Sequence, residues 1–234
     1  MMTESYNELI AATLVFVGGH LLLCSRPLRQ GLVARFGAQG ARAITATALF
    51  ASFVWMIVAY GRAPEWLLWD PPQAFAWVPL ATMPFASILL VSAFTTPSPT
   101  GVAGAAVVND APRLPICGIL TVTRHPMLWG TALWAVGHLF VGGQLATIIL
   151  CLGILLLSLV GMWHIDQRRE AELGSAWGPV KMTSSVVPFK AAMAGRCQLD
   201  WRGIGWGRLL GGLALYAALL FLHGSITGHP LLQI

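Results

Sequence analysis

Histidines are the residues of this chain best suited to chemistry, and there are six of them. His20, His125, His138 and His164 lie inside or at the edges of long apolar runs. An imidazole in hydrocarbon must find a partner, so each points to ligation, to proton handling, or to a bond with a neighbouring helix. His223 ends the last apolar run, and His229 sits in the tail beyond it. Depth separates the four. At about 1.5 Å per residue, His20 lies roughly 9 Å along its helix from Arg26, and His138 roughly 20 Å from His125. His20, His125 and His164 can therefore gather toward one membrane face, with His138 nearer the other. Imidazole is the usual ligand of haem iron, and facing helices can clamp a haem between two of them. The chain has no CxxCH, so a haem here would be a non-covalent b-type group.

Two further clusters bear on a cofactor. In Arg124-His125-Pro126, Pro126 suits the first turn of a helix, where its missing N–H is no loss. Arg124 and His125 then stand at the positive end of a helix dipole, where a carboxylate or phosphate is welcome; a basic flank that merely caps the helix is the plainer reading. In the run from His164 through Glu172, Asp166–Glu170 and Arg168–Glu172 are i,i+4 pairs. They fit a solvated helix extension, or a carboxylate (Glu170 or Asp166) facing Arg124. Cys24, Cys117, Cys151 and Cys197 form no CxxC pair and give no metal or redox motif.

The elements that must carry these residues follow from composition. The 234 residues are 56% hydrophobic and 10% charged, against about 25% charged in soluble domains. That excludes a soluble globular domain, a disordered chain and a disulfide scaffold, and leaves a polytopic membrane protein. Charge-free runs predict six helical spans: Leu9–Ser25, Ala43–Gly61, Phe75–Thr95, Pro126–Val141, Leu145–Trp163 and Leu209–His223. Gly142-Gly143-Gln144 turns the fourth into the fifth. With the N-terminus outside, every Lys and Arg except Arg62 falls on one side, Arg113 among them. The basic loops are then cytoplasmic and both termini outside. This explains the net charge of +5 without nucleic acid. The first span is not a cleaved signal peptide, because its n-region is acidic. Trp66, Trp69 and Trp77 read as an interfacial belt. The stretch from His164 to Trp206 has room for one amphipathic surface helix, and residues 1–234 form a single domain.

Phe16-Val17-Gly18-Gly19-His20 with Ser25-Arg26-Pro27, Val58-Ala59-Tyr60-Gly61-Arg62-Ala63-Pro64, Thr95-Thr96-Pro97-Ser98-Pro99-Thr100, Thr123-Arg124-His125-Pro126 and Gly161-Met162-Trp163-His164-Ile165-Asp166 together resemble the NnrU family, over nearly the whole chain. The resemblance implies a multi-pass protein of the bacterial inner membrane, linked to denitrification and nitric oxide metabolism. Its partners would be the bilayer and either a lipophilic substrate or denitrification enzymes, which it would serve as a reductase assembly factor. The same domain resembles the plant ζ-carotene isomerases, which hold haem b between two histidines. That implies haem-dependent cis–trans isomerisation, with His20 and His138 as the metal ligands; His20 with His125 fits the depth better. Ala135 stands where the isomerases carry a cysteine. A more distant similarity runs to isoprenylcysteine and phospholipid methyltransferases through Arg124, His125, Pro126, Gly130, Glu170, Leu173, Trp177 and Gly178. It implies S-adenosylmethionine held by Arg124, His125 and Glu170. Leu128, Lys181 and Ser184 stand where tyrosines are expected, and Arg169 replaces a glutamate.

Overall fold

The structure, a computed structural model, describes residues 2–101 and 116–228. Arg113 and His229 lie outside these described residues. Within them the chain is all-helical, and an isolated bridge between Leu67 and Gln144 is the extended pairing recorded. Helix α1 spans Met2–Leu23, α2 Arg26–Arg62 and α3 Trp77–Thr95. A short α4 (Ile119–Val122) precedes α5 (Pro126–Val141) and α6 (Leu145–Leu173). Three short helices follow, α7 (Trp177–Thr183), α8 (Lys190–Met193) and α9 (Trp201–Ile204), then α10 (Trp206–Thr227).

Among the described residues, five stretches are long and apolar enough to cross a membrane: Tyr6–Leu23, Arg26–Arg62, Gln73–Thr95, Leu145–Thr183 and Trp206–Thr227. The sixth expected span is α5, which is apolar but 16 residues long. That is just short of the roughly 17 residues a crossing needs. Its ends fall where the sequence put them. Pro126 opens it, and at Gly143 the turn passes so close to the Trp69 carbonyl that a Cβ would strike it. Two departures stand out. The basic stretch after α1 is helical, not a loop, because α2 starts at Arg26 and is interrupted only at Gly37 (φ 69°, ψ 171°). Beyond Trp163, α6 continues to Leu173, and several short helices stand where one amphipathic helix was expected.

The residues fall into two compact units, each assembled from two separate stretches: Met1–Pro79 with Ala135–Arg168, and Leu80–Trp134 with Arg169–Ile234. In the first unit, α1 and α6 run parallel. Thr13 packs at Gly153, and His164 Nε2 lies 3.3 Å from the Cys24 carbonyl oxygen, 140 residues apart in sequence. Both contacts share that offset, so the two helices stay in register over three turns. Helix α2 returns the other way: the Tyr6 hydroxyl donates to Pro64 O (2.8 Å), and the Tyr60 hydroxyl meets Thr147 Oγ1 (3.1 Å). The segment after α2 is tied to the Gly142 turn by Leu68 N–H to Gly143 O (2.8 Å) and Leu145 N–H to Trp66 O (3.0 Å). Glu8, Arg62, Glu65 and Asp70 thus belong to one end of the unit, and Arg26, Arg29 and Arg168 to the other. At the acidic end Trp66 and Trp77 are exposed, and Trp69, Phe75 and Phe140 stack edge to face. This is the arrangement of an interfacial aromatic belt.

In the second unit, α3 and α10 are antiparallel and close. A Cβ on Gly212 would lie 2.5 Å from Ile88 Cα. Arg208 joins their ends, donating to Thr95 Oγ1 and Thr95 O at 2.9 Å each. Pro84 leaves the Leu80 carbonyl without its helical donor, and the Tyr216 hydroxyl donates to it from α10 (3.4 Å). Leu89, Ile119, Leu120, Val122 and Ile204 form the buried cluster that seats α4 and α9.

Candidate functional site

In the first unit, α1 and α6 leave a cleft of about 270 Å³ between them. Ile10, Thr13, Leu14 and Val17 line one wall, and Ile149, Leu152, Gly153 and Leu156 the other. These are i, i+3, i+4, i+7 sets, so each wall is one helix face. Thr13 brings the one hydroxyl, and its Oγ1 is buried with no hydrogen-bond partner. Gly153 permits the cleft, since a side chain there would meet the Thr13 methyl. His20 stands seven residues after Thr13, on the same face of α1. Its ring packs edge-on against Phe16 (centroids 5.7 Å), and Phe16 in turn meets Phe53 (5.6 Å). His20 Nδ1 is buried and has no hydrogen-bond partner. Beside it, Gly18 and Gly19 face open space, with nothing within 4 Å of where a Cβ would stand.

An orphaned, buried ring nitrogen fits a bound group that offers a metal or an acceptor. Among the described residues no cluster of three or more His, Cys, Asp or Glu could hold a bare ion. A haem brings four nitrogens of its own and asks the protein for one or two axial ligands. The residues around His20 fit that demand.

His164 belongs to the same end of this unit, where its contact with Cys24 O brings it to the last turn of α1. His138 stands one turn before the Gly142 turn, toward the acidic end. His20 and His164 are therefore brought to one end, and His138 to the other. Cys24 is no activated nucleophile: burial pushes its thiol up, against the opposing pull of Arg168 and Arg29.

Arg124, His125 and Glu170 lie in the second unit. Residues 123–125 form an extended segment held from both sides. Arg124 N–H donates to Ser185 O (3.0 Å), Thr123 Oγ1 donates to Val186 O (2.8 Å), and the Thr100 hydroxyl donates to Arg124 O. Trp129 Nε1 also donates to Val186 O (2.8 Å). Arg124 and His125 are buried at the head of α5. The Glu170 carboxylate accepts from Lys181 Nζ at 3.1 and 3.2 Å, so its partner is this lysine and not Arg124. Arg169 is 2% exposed; it donates to Pro99 O (2.6 Å) and pairs with Glu172.

Asp200 was not singled out by the sequence, yet it pins this unit. Its Oδ2 accepts from Gly118 N–H (2.9 Å) and its Oδ1 from Gly203 N–H (2.8 Å). These two bonds hold its carboxyl below the usual carboxylate range. A carboxylate lowered in the folded state adds stability above its unfolded pKa and loses it as pH falls through the folded value. Thermal stability should therefore drop below about pH 4. Asp200→Asn should flatten that acid limb and lower the neutral melting temperature, both read by unfolding scans across pH. An acid limb unchanged in the variant would show that other groups set it.

Comparison with known proteins follows the same lines. The chain is 30% identical over 126 residues to 15-cis-zeta-carotene isomerase, chloroplastic, of Zea mays, and equally to that of Arabidopsis thaliana. The match takes in 53% of this chain and 34% of each relative, so it spans about a third of the length of these curated relatives. No solved structure matches it. The model of the NnrU protein family matches residues 8–231, from the first turns of α1 to beyond the end of α10, and the chain belongs to the NnrU family.

Proposed function

We propose that this protein is a membrane cis–trans isomerase of a lipophilic polyene, with haem b bound at His20. The observation that carries the proposal is the buried, unpartnered Nδ1 of His20, two turns along α1 from Thr13 on the helix side that lines the α1/α6 cleft. The 30% identity to two carotene isomerases supports the same reading. When bound, the haem supplies an iron that withdraws π density from a double bond and eases its rotation. The protein's own residues do the rest. The cleft walls seat an extended hydrocarbon chain and exclude water, and Phe16, backed by Phe53, packs against the His20 ring. No atom is gained or lost by the substrate, so no acid or base is required, and the apolar lining suits that. If a second histidine also held the group, His164, at the same end of the unit, would supply it.

The segregation of charge in the first unit supports six spans with both termini outside and the basic end in the cytoplasm of a bacterial inner membrane. On that reading α5 is the sixth span, helped across by the aromatic belt at its Val141 end.

The deciding measurement is an absorption spectrum of the detergent-purified protein, oxidised and then dithionite-reduced. A Soret band with sharp reduced α and β bands is the expected result. A protein that stays colourless after haem is supplied would overturn the proposal.

A further inference from the structure

We propose that the first leg of α2, residues 26–36, is an interfacial helix that binds anionic phospholipid headgroups of the leaflet at the basic end.

The argument starts with length. Helix α2 has 37 residues, which at 1.5 Å each is about 55 Å, against a hydrocarbon core of about 30 Å. The charge-free run Ala43–Gly61 crosses that core by itself. The leg before it needs another place. At Gly37 the backbone leaves the helical region for φ 69° and ψ 171°, a combination essentially closed to other residues. The helix axis therefore breaks between leg and span.

The leg is built for an interface. Leu28, Leu32 and Phe36 recur every four residues, with Val33 beside them. Leu28, Val33 and Phe36 are exposed. Arg26 and Arg35 are also exposed and flank this apolar arc on either side, and the Arg35 guanidinium lies over the Phe36 ring at 5.7 Å. Arg29 stands within the arc by helical position and is half-buried. From Leu9 to Pro64 the chain contains no Asp or Glu. Among the described residues Arg26, Arg29 and Arg35 make no ion pair. A helix that shows apolar side chains between unpaired arginines is complementary to a surface of phosphates over acyl chains. An acidic protein partner would leave Leu28, Val33 and Phe36 in water.

The test is native mass spectrometry of the full chain released from nanodiscs, of phosphatidylcholine alone or mixed with phosphatidylglycerol. Wild type should retain phosphatidylglycerol in preference to phosphatidylcholine, and retention should fall with salt. Each of Arg26→Gln and Arg35→Gln should weaken that retention about fivefold, the factor for about 1 kcal/mol per basic residue near a charged bilayer. Arg62→Gln, at the opposite end of α2, should leave it unchanged. A Val33→Trp protein should show indole fluorescence beyond that of the ten native tryptophans, and lipids brominated near the headgroup should quench this added signal. Equal retention of the two lipids by wild type, an undiminished preference in the Arg26→Gln/Arg35→Gln protein, or no quenching of the indole introduced by Val33→Trp would overturn the proposal.

Discussion

His20→Ala is expected to remove the Soret band completely while leaving a folded protein. The reason lies in what His20 does when nothing is bound. Its Nδ1 is buried without a partner, and its ring contributes one edge contact to Phe16. A buried polar atom left unsatisfied costs about 1–3 kcal/mol, so deleting it offsets part of the packing that alanine loses. The haem-free variant should melt within a few degrees of the haem-free wild type, since about 1 kcal/mol moves a chain of this size by roughly 2–4 °C. Loss of colour with retained melting temperature separates ligand from scaffold. His164→Ala then tests a second ligand: it should convert a low-spin spectrum to high-spin, and His138→Ala, at the opposite end of the unit, should leave the spectrum unchanged. A Soret band that survives in His20→Ala at wild-type intensity would sink the assignment.

The second large effect is Gly118→Ala. Gly118 has φ +54° and ψ −129°, and a Cβ there would lie 2.6 Å from the Gly203 carbonyl oxygen. Strained backbone of this kind costs about 1–3 kcal/mol, and forcing an atom into a filled space costs a further 1–3 kcal/mol or so. The clash also pushes Gly118 N–H away from Asp200, the bond that ties the start of α4 to α9. A loss of about 2–6 kcal/mol is expected from these two costs together, read as a fall in melting temperature. Gly174→Ala is the control. Gly174 shares the positive φ (+57°) but has nothing within 4 Å of a Cβ, so it carries only the strain. Equal losses in the two variants would mean that the close approach to Gly203 contributes nothing.

The sequence made the membrane spans legible because lipid forces a long apolar run to be helical. Pro126 and the Gly142–Gly143 turn marked the ends of α5 because proline and glycine each restrict the backbone in a known way. Charge misled at both ends of that logic. Arg26–Arg42 looked like loop because it is basic, yet arginine is a good helix former. Trp163 looked like an end, although the opposite charges of Arg168 and Glu172, four residues apart, favour a helix that continues past it. His20 stood out as an intramembrane imidazole. Its surroundings did not, since the α1/α6 cleft depends on a register of 140 residues that no local pattern encodes. Asp200 passed unnoticed for a related reason. Its partners are backbone amides of Gly118 and Gly203, and an amide leaves no trace in residue type.

The first unit is closed by a stretch that leaves the ribosome late. Thr13 meets Gly153, and 140 residues must be made between them. At about 5–20 residues per second that is roughly 7–28 s. During this interval α1 and α2 reside in the bilayer, or against the insertion machinery, with the Thr13 hydroxyl and the His20 ring facing no partner helix. Biogenesis thus contains an obligatory waiting state whose exposed polar groups are those of the proposed site. Truncations released before α6 should accordingly be held by membrane chaperones or degraded, and a group that binds His20 has that window in which to enter without passing between closed helices.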